Sequence, residues 1–153
     1  MSDAGWGARG RVGAVVLVLA CALTACSSPA QAFDQAAEQG VAATGTAELV
    51  IRQDLDGRTF DTTAVATLGD ARTELVDATS AVARTAVTTA ADAADRTHLL
   101  DLLAECLDAV DAATDAVQGG ASADARDAQL DDAMQELERL GGELEDLAGG
   151  GSP

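Results

Sequence analysis

"HLLDLLAECLDAVDAATDAVQGG", residues 98–120, is the stretch whose reading decides the fold. Leu99, Leu103, Cys106, Val110, Ala113 and Val117 alternate at spacings of four and three, which puts them on one stripe of an α-helix. Gly119-Gly120 ends that helix. A helix with one apolar stripe must bury it against other elements, so the flanking sequence has to supply partners.

Downstream, Ser122 is placed to cap a further helix, with Asp124 in its first turn where the helix dipole favours an acid. Leu130, Met134, Leu137, Leu140, Leu144 and Leu147 form its seam, and residues 149–153, "GGGSP", read as a frayed tail. Upstream, Val65, Leu68, Leu75, Thr79, Val82 and Ala86 share one face of a helix over Thr62–Val87. Neither Gly nor Pro occurs between Gly69 and Gly119, so the next break is hidden. Carrying the stripe onward gives Thr89, Ala93 and Arg96, which is no core face. A turn is therefore expected near Thr88-Thr89, with Thr89 or Asp92 as the new cap; one long helix over 62–117 is the alternative.

Before these helices, Leu49, Val50, Ile51 and Leu55 mark a short amphipathic helix over Thr46–Asp56, stopped by Gly57. Asp61 is expected to cap the next helix, with Phe60 and Val65 as a hydrophobic staple. Asp54-x-Asp56-Gly57 has the look of a calcium loop. With Gly57 at loop position six, however, Arg52 and Thr63 fall where carboxylates are needed, so the pattern fails. The expected architecture is all-α: a small up-down bundle of three to four helices over residues 46–148, behind a signal peptide and a flexible tether.

The address comes first in the chain. Residues 13–32 read "GAVVLVLACALTACSSPAQA", the one strongly apolar run. From Val12 to Ala25 it is shorter than the ~20 residues a membrane span needs. Arg9 and Arg11 precede it, as in the charged region of a signal peptide. Its exit, Leu23-Thr24-Ala25-Cys26, resembles the lipobox of bacterial lipoproteins; Cys21 has a poorer context and would leave a very short apolar region. The resemblance implies that residues 1–25 are cleaved, that the Cys26 sulfur carries a diacylglyceryl group, and that the chain is held at the outer face of the cell membrane. Residues 26–45, rich in Ala, Gln, Gly and Ser, then read as the lipidated cysteine and a tether fading into a weak helix. With its Ala- and Asp-rich helical remainder, the chain is similar to actinobacterial lipoproteins of that layout. Only residues 9–28 carry the resemblance by motif, and it brings no active residues with it.

Composition bounds the function. The chain has nine Lys or Arg against 26 acids, a net charge of −17. Removing residues 1–25 takes away Arg9, Arg11 and Asp3 and leaves seven arginines against 25 acids, a charge of −18. Such a charge opposes nucleic acid and anionic lipid, and attracts cations or a basic partner. It also serves as a plain solubility surface. Cys106 stands alone in the exported part, so an internal disulfide is excluded. Phe33 and Phe60 are its only aromatics, too few for a stacking platform. Seams that mix Leu with Ala and Thr bury little area each, at about 25 cal/mol per Å², so modest stability that improves with salt is expected.

The candidate sites are few. His98, the one histidine, could pair with Asp92, Asp95 or Asp101 around zinc, but a lone His with carboxylates is weak metal chemistry and an exposed histidine is the plainer expectation. Cys106 lies on the seam, where a thiol acts as a small hydrophobe. Asp101, Glu105, Asp108, Asp111 and Asp115 line the outer face of the third helix, an acidic face that could collect cations or meet a basic partner, or simply be solvated. No Ser, His and acid group together, and phosphate loops, CxxC and HExxH are missing. The expectation is a non-catalytic interaction or spacer module at the cell envelope without a metal or cofactor, the covalent lipid on Cys26 apart. An envelope protein is the expected partner; the alternative is a lipoprotein that binds cations or a small solute.

Overall fold

At Ser28 the chain is already entering a helix. The Ser28 hydroxyl accepts the Gln31 N–H at 3.2 Å, and Pro29 follows in the first turn, where its missing N–H costs nothing. A computed structural model describes residues 28–149. They fold as four α-helices: α1 Pro29–Leu55, α2 Asp61–Arg84, α3 Ala90–Gln118 and α4 Ala123–Gly149. The short connections over 56–60, 85–89 and 119–122 make sequence neighbours antiparallel. Each helix packs on the next, α4 closes the ring on α1, and α1 also reaches α3 across the diagonal. Pro29, the 85–89 loop and Gly149 therefore share one end of the bundle. The loops 56–60 and 119–122 share the other.

The expected tether does not extend to residue 45. α1 runs through it, and Phe33, Ala36, Ala37, Gly40, Ala43 and Thr44 are buried in the core. These positions repeat at three and four residues like any seam, but spell it in alanine and glycine. The signal peptide and Cys26 lie outside the described residues, as do residues 150–153 of the expected tail; Gly149 still belongs to α4.

The small residues of α1 set how closely its neighbours approach. A Cβ on Gly40 would stand 2.9 Å from a Leu144 methyl and 3.1 Å from a Leu103 methyl. On the facing α4, a Cβ on Gly141 would meet the Thr44 hydroxyl at 3.2 Å. Thr44 is itself buried, and its hydroxyl donates to the Val41 carbonyl one turn back at 3.0 Å. Around this contact Leu75, Leu103, Leu137, Leu140 and Leu144 are fully buried and supply the bulk that α1 lacks.

The expected break between α2 and α3 is present. The β-branched residues of 85–89 suit extended backbone better than helix. The Thr89 hydroxyl accepts the Asp92 N–H at 3.0 Å and starts α3. Residues 62–117 are thus two helices. α2 ends at Arg84 rather than Val87, so Ala86 is exposed in the loop instead of on the stripe. The start of α2 also differs from expectation. The Phe60 carbonyl, not the Asp61 side chain, takes the first amides, from Thr63 at 2.8 Å and Ala64 at 2.9 Å. Phe60 is 80% exposed, so it makes no closed staple with Val65. Gly57 does end the first turn with φ +65°, the left-handed conformation anticipated for it.

Candidate functional site

The seam of α3 holds as read: Leu99, Leu103, Cys106, Val110, Ala113 and Val117 are all buried. With those positions fixed inward, the acids between them divide over three directions. Asp101 and Asp108 face solvent. Asp111 turns to α2, where Arg72 Nε donates to its Oδ1 at 2.8 Å. Glu105 turns to α4, where Arg139 Nη2 donates to its Oε2 at 2.9 Å. The acidic stripe is therefore no single binding face. Its arginine partners come from neighbouring helices, beyond the reach of a search along α3 alone.

Glu105, Asp108 and Asp115 are brought together with α4 instead. They form one rim of a groove of about 800 Å³ between α3 and α4, and Asp132 and Glu136 with Gln129 form the other. Ala109, Ala112, Ala116 and Ala133 line its floor, and Gly119 and Ala121 close it at the loop end. Methyl side chains leave this channel open, since neither helix puts a large residue there. At the far end Arg139 bridges the rims: it donates to Glu105 on α3, to Glu136 Oε1 at 2.6 Å, and to Glu143 on its own helix. That bond network draws the Glu136 carboxyl below its ordinary value of 4.5.

Cys106 lies directly beneath this bridge. It is fully buried, and its thiol is pushed up to about 12, chiefly by burial and secondarily by the Glu105 charge. Arg139 pulls the other way and does not compensate. A thiol so poorly ionised is a core group and no nucleophile. His98 is exposed near the start of α3, and the described residues hold no group of three or more His, Cys, Asp or Glu arranged to take a metal ion.

One charged cluster is absent from the sequence-based expectations. Arg126 Nη2 donates to Asp54 Oδ2 at 2.5 Å and to Asp61 Oδ1 at 3.1 Å, tying the end of α1 and the start of α2 to the start of α4. The Asp54 side chain is 2% exposed. Burial raises its pKa above the usual carboxylate value, and Arg126 only partly offsets this. A sequence signal was available: Asp54 follows Val50 and Ile51 by four and three residues, a lone acid on an apolar stripe. The aspartates first examined as a calcium loop thus serve an ion pair and, at Asp56, a local contact with Arg58 at 2.5 Å.

No protein-family model, curated protein or solved structure matches this chain. Among the described residues, no helix is long and apolar enough to cross a membrane.

Proposed function

We propose that the chain is a lipid-anchored protein of the outer membrane face whose bundle stands on the bilayer and presents surfaces to an envelope partner, without catalysis. The observation that carries this reading is the start of α1. Between Cys26, the last residue of the lipobox-like motif, and the first residue of α1 lie only Ser27 and the capping Ser28. Three residues of chain span at most about 10 Å. The Pro29 end of the bundle would then rest close to the headgroups, rather than float on a long tether. α1, with 27 residues, is about 40 Å long, so the loops with the exposed Phe60 and the mouth of the groove stand well above the surface. A rigid post of this kind suits display. Its single histidine on the surface and its sealed thiol suit no obvious covalent chemistry.

Metabolic labelling with an alkyne-tagged fatty acid tests the anchor directly. Label on the wild-type chain, lost in Cys26→Ala, is the expected result; label retained in that variant places the lipid elsewhere, and an unlabelled wild-type chain removes the anchor. Photo-cross-linking in intact cells then tests the partner. A reproducible envelope protein trapped by wild type and lost with Cys26→Ala supports an anchored adaptor. A second reading, capture of a cationic solute, is favoured by the carboxylate rims of the α3–α4 groove.

A further inference from the structure

We infer that the chain pairs with a second copy of itself through the outer face of α2 and α3. Beside their buried seams, both helices carry a second stripe at spacings of four and three. On α2 it is Val65, Gly69, Arg72, Val76, Thr79 and Ala83; on α3 it is Leu100, Ala104, Leu107, Asp111, Thr114 and Gln118. None of these residues is buried: Val76 is 38% exposed, Gly69, Ala83 and Ala104 are open to solvent, and Leu100 and Leu107 are half-buried. The Arg72–Asp111 bond joins the two stripes and fixes their register. Stepping outward from it along antiparallel helices puts Val76 level with Leu107, Ala83 with Leu100 and Gly69 with Thr114. Val65 lines a small pocket with Val117 and Gln118, where the same register sets it. Elsewhere charged and amide side chains cover the line between neighbouring helices. Glu105 and Arg139 bridge α3 and α4, Arg52 pairs Glu138 over α1 and α4, and Gln39 bonds Glu74 over α1 and α2.

Symmetry and charge select the occupant. A two-fold axis along the bundle, through the middle of this face, sets α2 of each copy against α3 of the other, so that each residue meets the one at its own level. Val76 then meets Leu107 of the other copy, and Arg72 meets Asp111 of the other copy. The four central charges form a square of alternating sign. Arg72 keeps donors for it, since its Nε serves Asp111 within the chain and neither Nη has an acceptor among the described residues. At a net charge of −17, a face whose one cation and one anion cancel is where two copies meet with least repulsion. This axis also leaves both Pro29 ends on the same side, which suits two chains held in one membrane; that point rests on the anchoring proposed above. The face runs roughly 27 Å from Val65 to Ala83 and is two helices, about 20 Å, across. Both copies together then cover about 1,100 Å², the lower edge of specific interfaces. The pairing is therefore weak in solution and favoured where anchoring concentrates the chains.

The test uses the full acylated chain in phosphatidylcholine vesicles, labelled with donor or acceptor at Gly142→Cys, where a side chain meets nothing within 4 Å. Energy transfer is expected, and an equal amount of unlabelled chain should cut it by about half through competition for partners. Transfer indifferent to unlabelled chain would be random collision; it would overturn the proposal and leave the face to another partner or to solvent. Arg72→Glu alone and Asp111→Arg alone each put four like charges at the centre, and each should lower transfer by about tenfold. Donor-labelled Arg72→Glu mixed with acceptor-labelled Asp111→Arg restores the alternating square, and transfer should return at least to the wild-type level. Both variants break the same bond within the chain, so this rescue arises only between copies, and its absence would refute the pairing. Ala104→Glu on the face should abolish transfer, whereas Ala42→Glu, the same change at an exposed alanine of α1, should not. Equal effects of these two would also count against the face. Cys26→Ala in buffer separates pairing from anchoring. Lost acylation with concentration-dependent transfer is the expected pattern, and no transfer at the highest soluble concentration would assign the pairing to the lipid instead.

Discussion

Asp54 is the residue whose environment decides most at the smallest scale. Its carboxylate is buried at the junction of three helices, and Arg126 is the cation that reaches it. Removing one partner of a buried pair leaves a charge without compensation, so Arg126→Ala should destabilise the bundle by about 2–4 kcal/mol at pH 7. Because the folded-state pKa of Asp54 is raised, its protonated form is the one folding favours. The penalty in Arg126→Ala should therefore shrink between pH 7 and pH 5, since a protonated Asp54 needs no cation. Urea melts of both chains at the two pH values check this, and an equal loss at each would place the effect elsewhere. Cys106 gives a second prediction at this scale. With its thiol held near 12, it should react with iodoacetamide about a thousandfold more slowly than a free cysteine at pH 8, and label only as the protein unfolds. Rapid labelling of native protein, read by peptide mass, would contradict the burial. The cysteine's place was legible from spacing alone. The Asp54–Arg126 pair was not, because its partners are 72 residues apart and periodicity reports faces, not long-range contacts.

Among the elements, α3 and α4 were legible because leucine and valine write their seams in strongly apolar letters. The break was legible near Thr88-Thr89, where the stripe failed, although it opens earlier than that reading, at Thr85. α1 was read only from Thr46 onward. Its first four turns face the core through alanine and glycine, whose weak hydrophobicity looks like a linker until a neighbouring leucine fills the space above them. The groove was equally hidden, since it is made by what α3 and α4 leave out between them. Glycine positions separate these cases experimentally. A Cβ on Gly45, Gly69 or Gly142 meets nothing within 4 Å. Replacing each with alanine should add about 0.5–1 kcal/mol through helix propensity, and the triple variant should melt visibly higher. Gly40→Leu, by contrast, drives a large side chain against Leu103 and Leu144 and should cost about 1–3 kcal/mol or more. Thermal melts of both variants decide between a packed and a loosely apposed α1.

For the whole molecule, charge is the dominant variable. At −17 the chain repels itself, and salt screens that repulsion. Asp54 and Glu48 both have pKa values raised, first of all by burial. Between the ordinary carboxylate value and these raised ones the folded chain holds more protons than the unfolded one, so stability falls as the pH rises through that window. Glu136, drawn low by Arg139, works in the opposite sense below 4.5 and sits on the surface, where screening limits it. Calorimetry should therefore find the melting temperature higher near pH 5 than at pH 7, and raised at pH 7 by about 0.5 M salt, well beyond the concentration at which screening reaches 10 Å. A melting temperature indifferent to both would mean that the acids are already neutralised by something bound.

The early start of α1 has a consequence for anyone treating cells with protease. The chain contains no lysine, and its first arginine after Cys26 is Arg52, in the last turn of α1. Trypsin thus finds no cleavage point between the proposed lipid and the folded body, and a cut at Arg52 would sever α1 from the other three helices rather than release the bundle intact. Surface shaving should leave this protein behind on the membrane, or destroy it, and yield no soluble ectodomain.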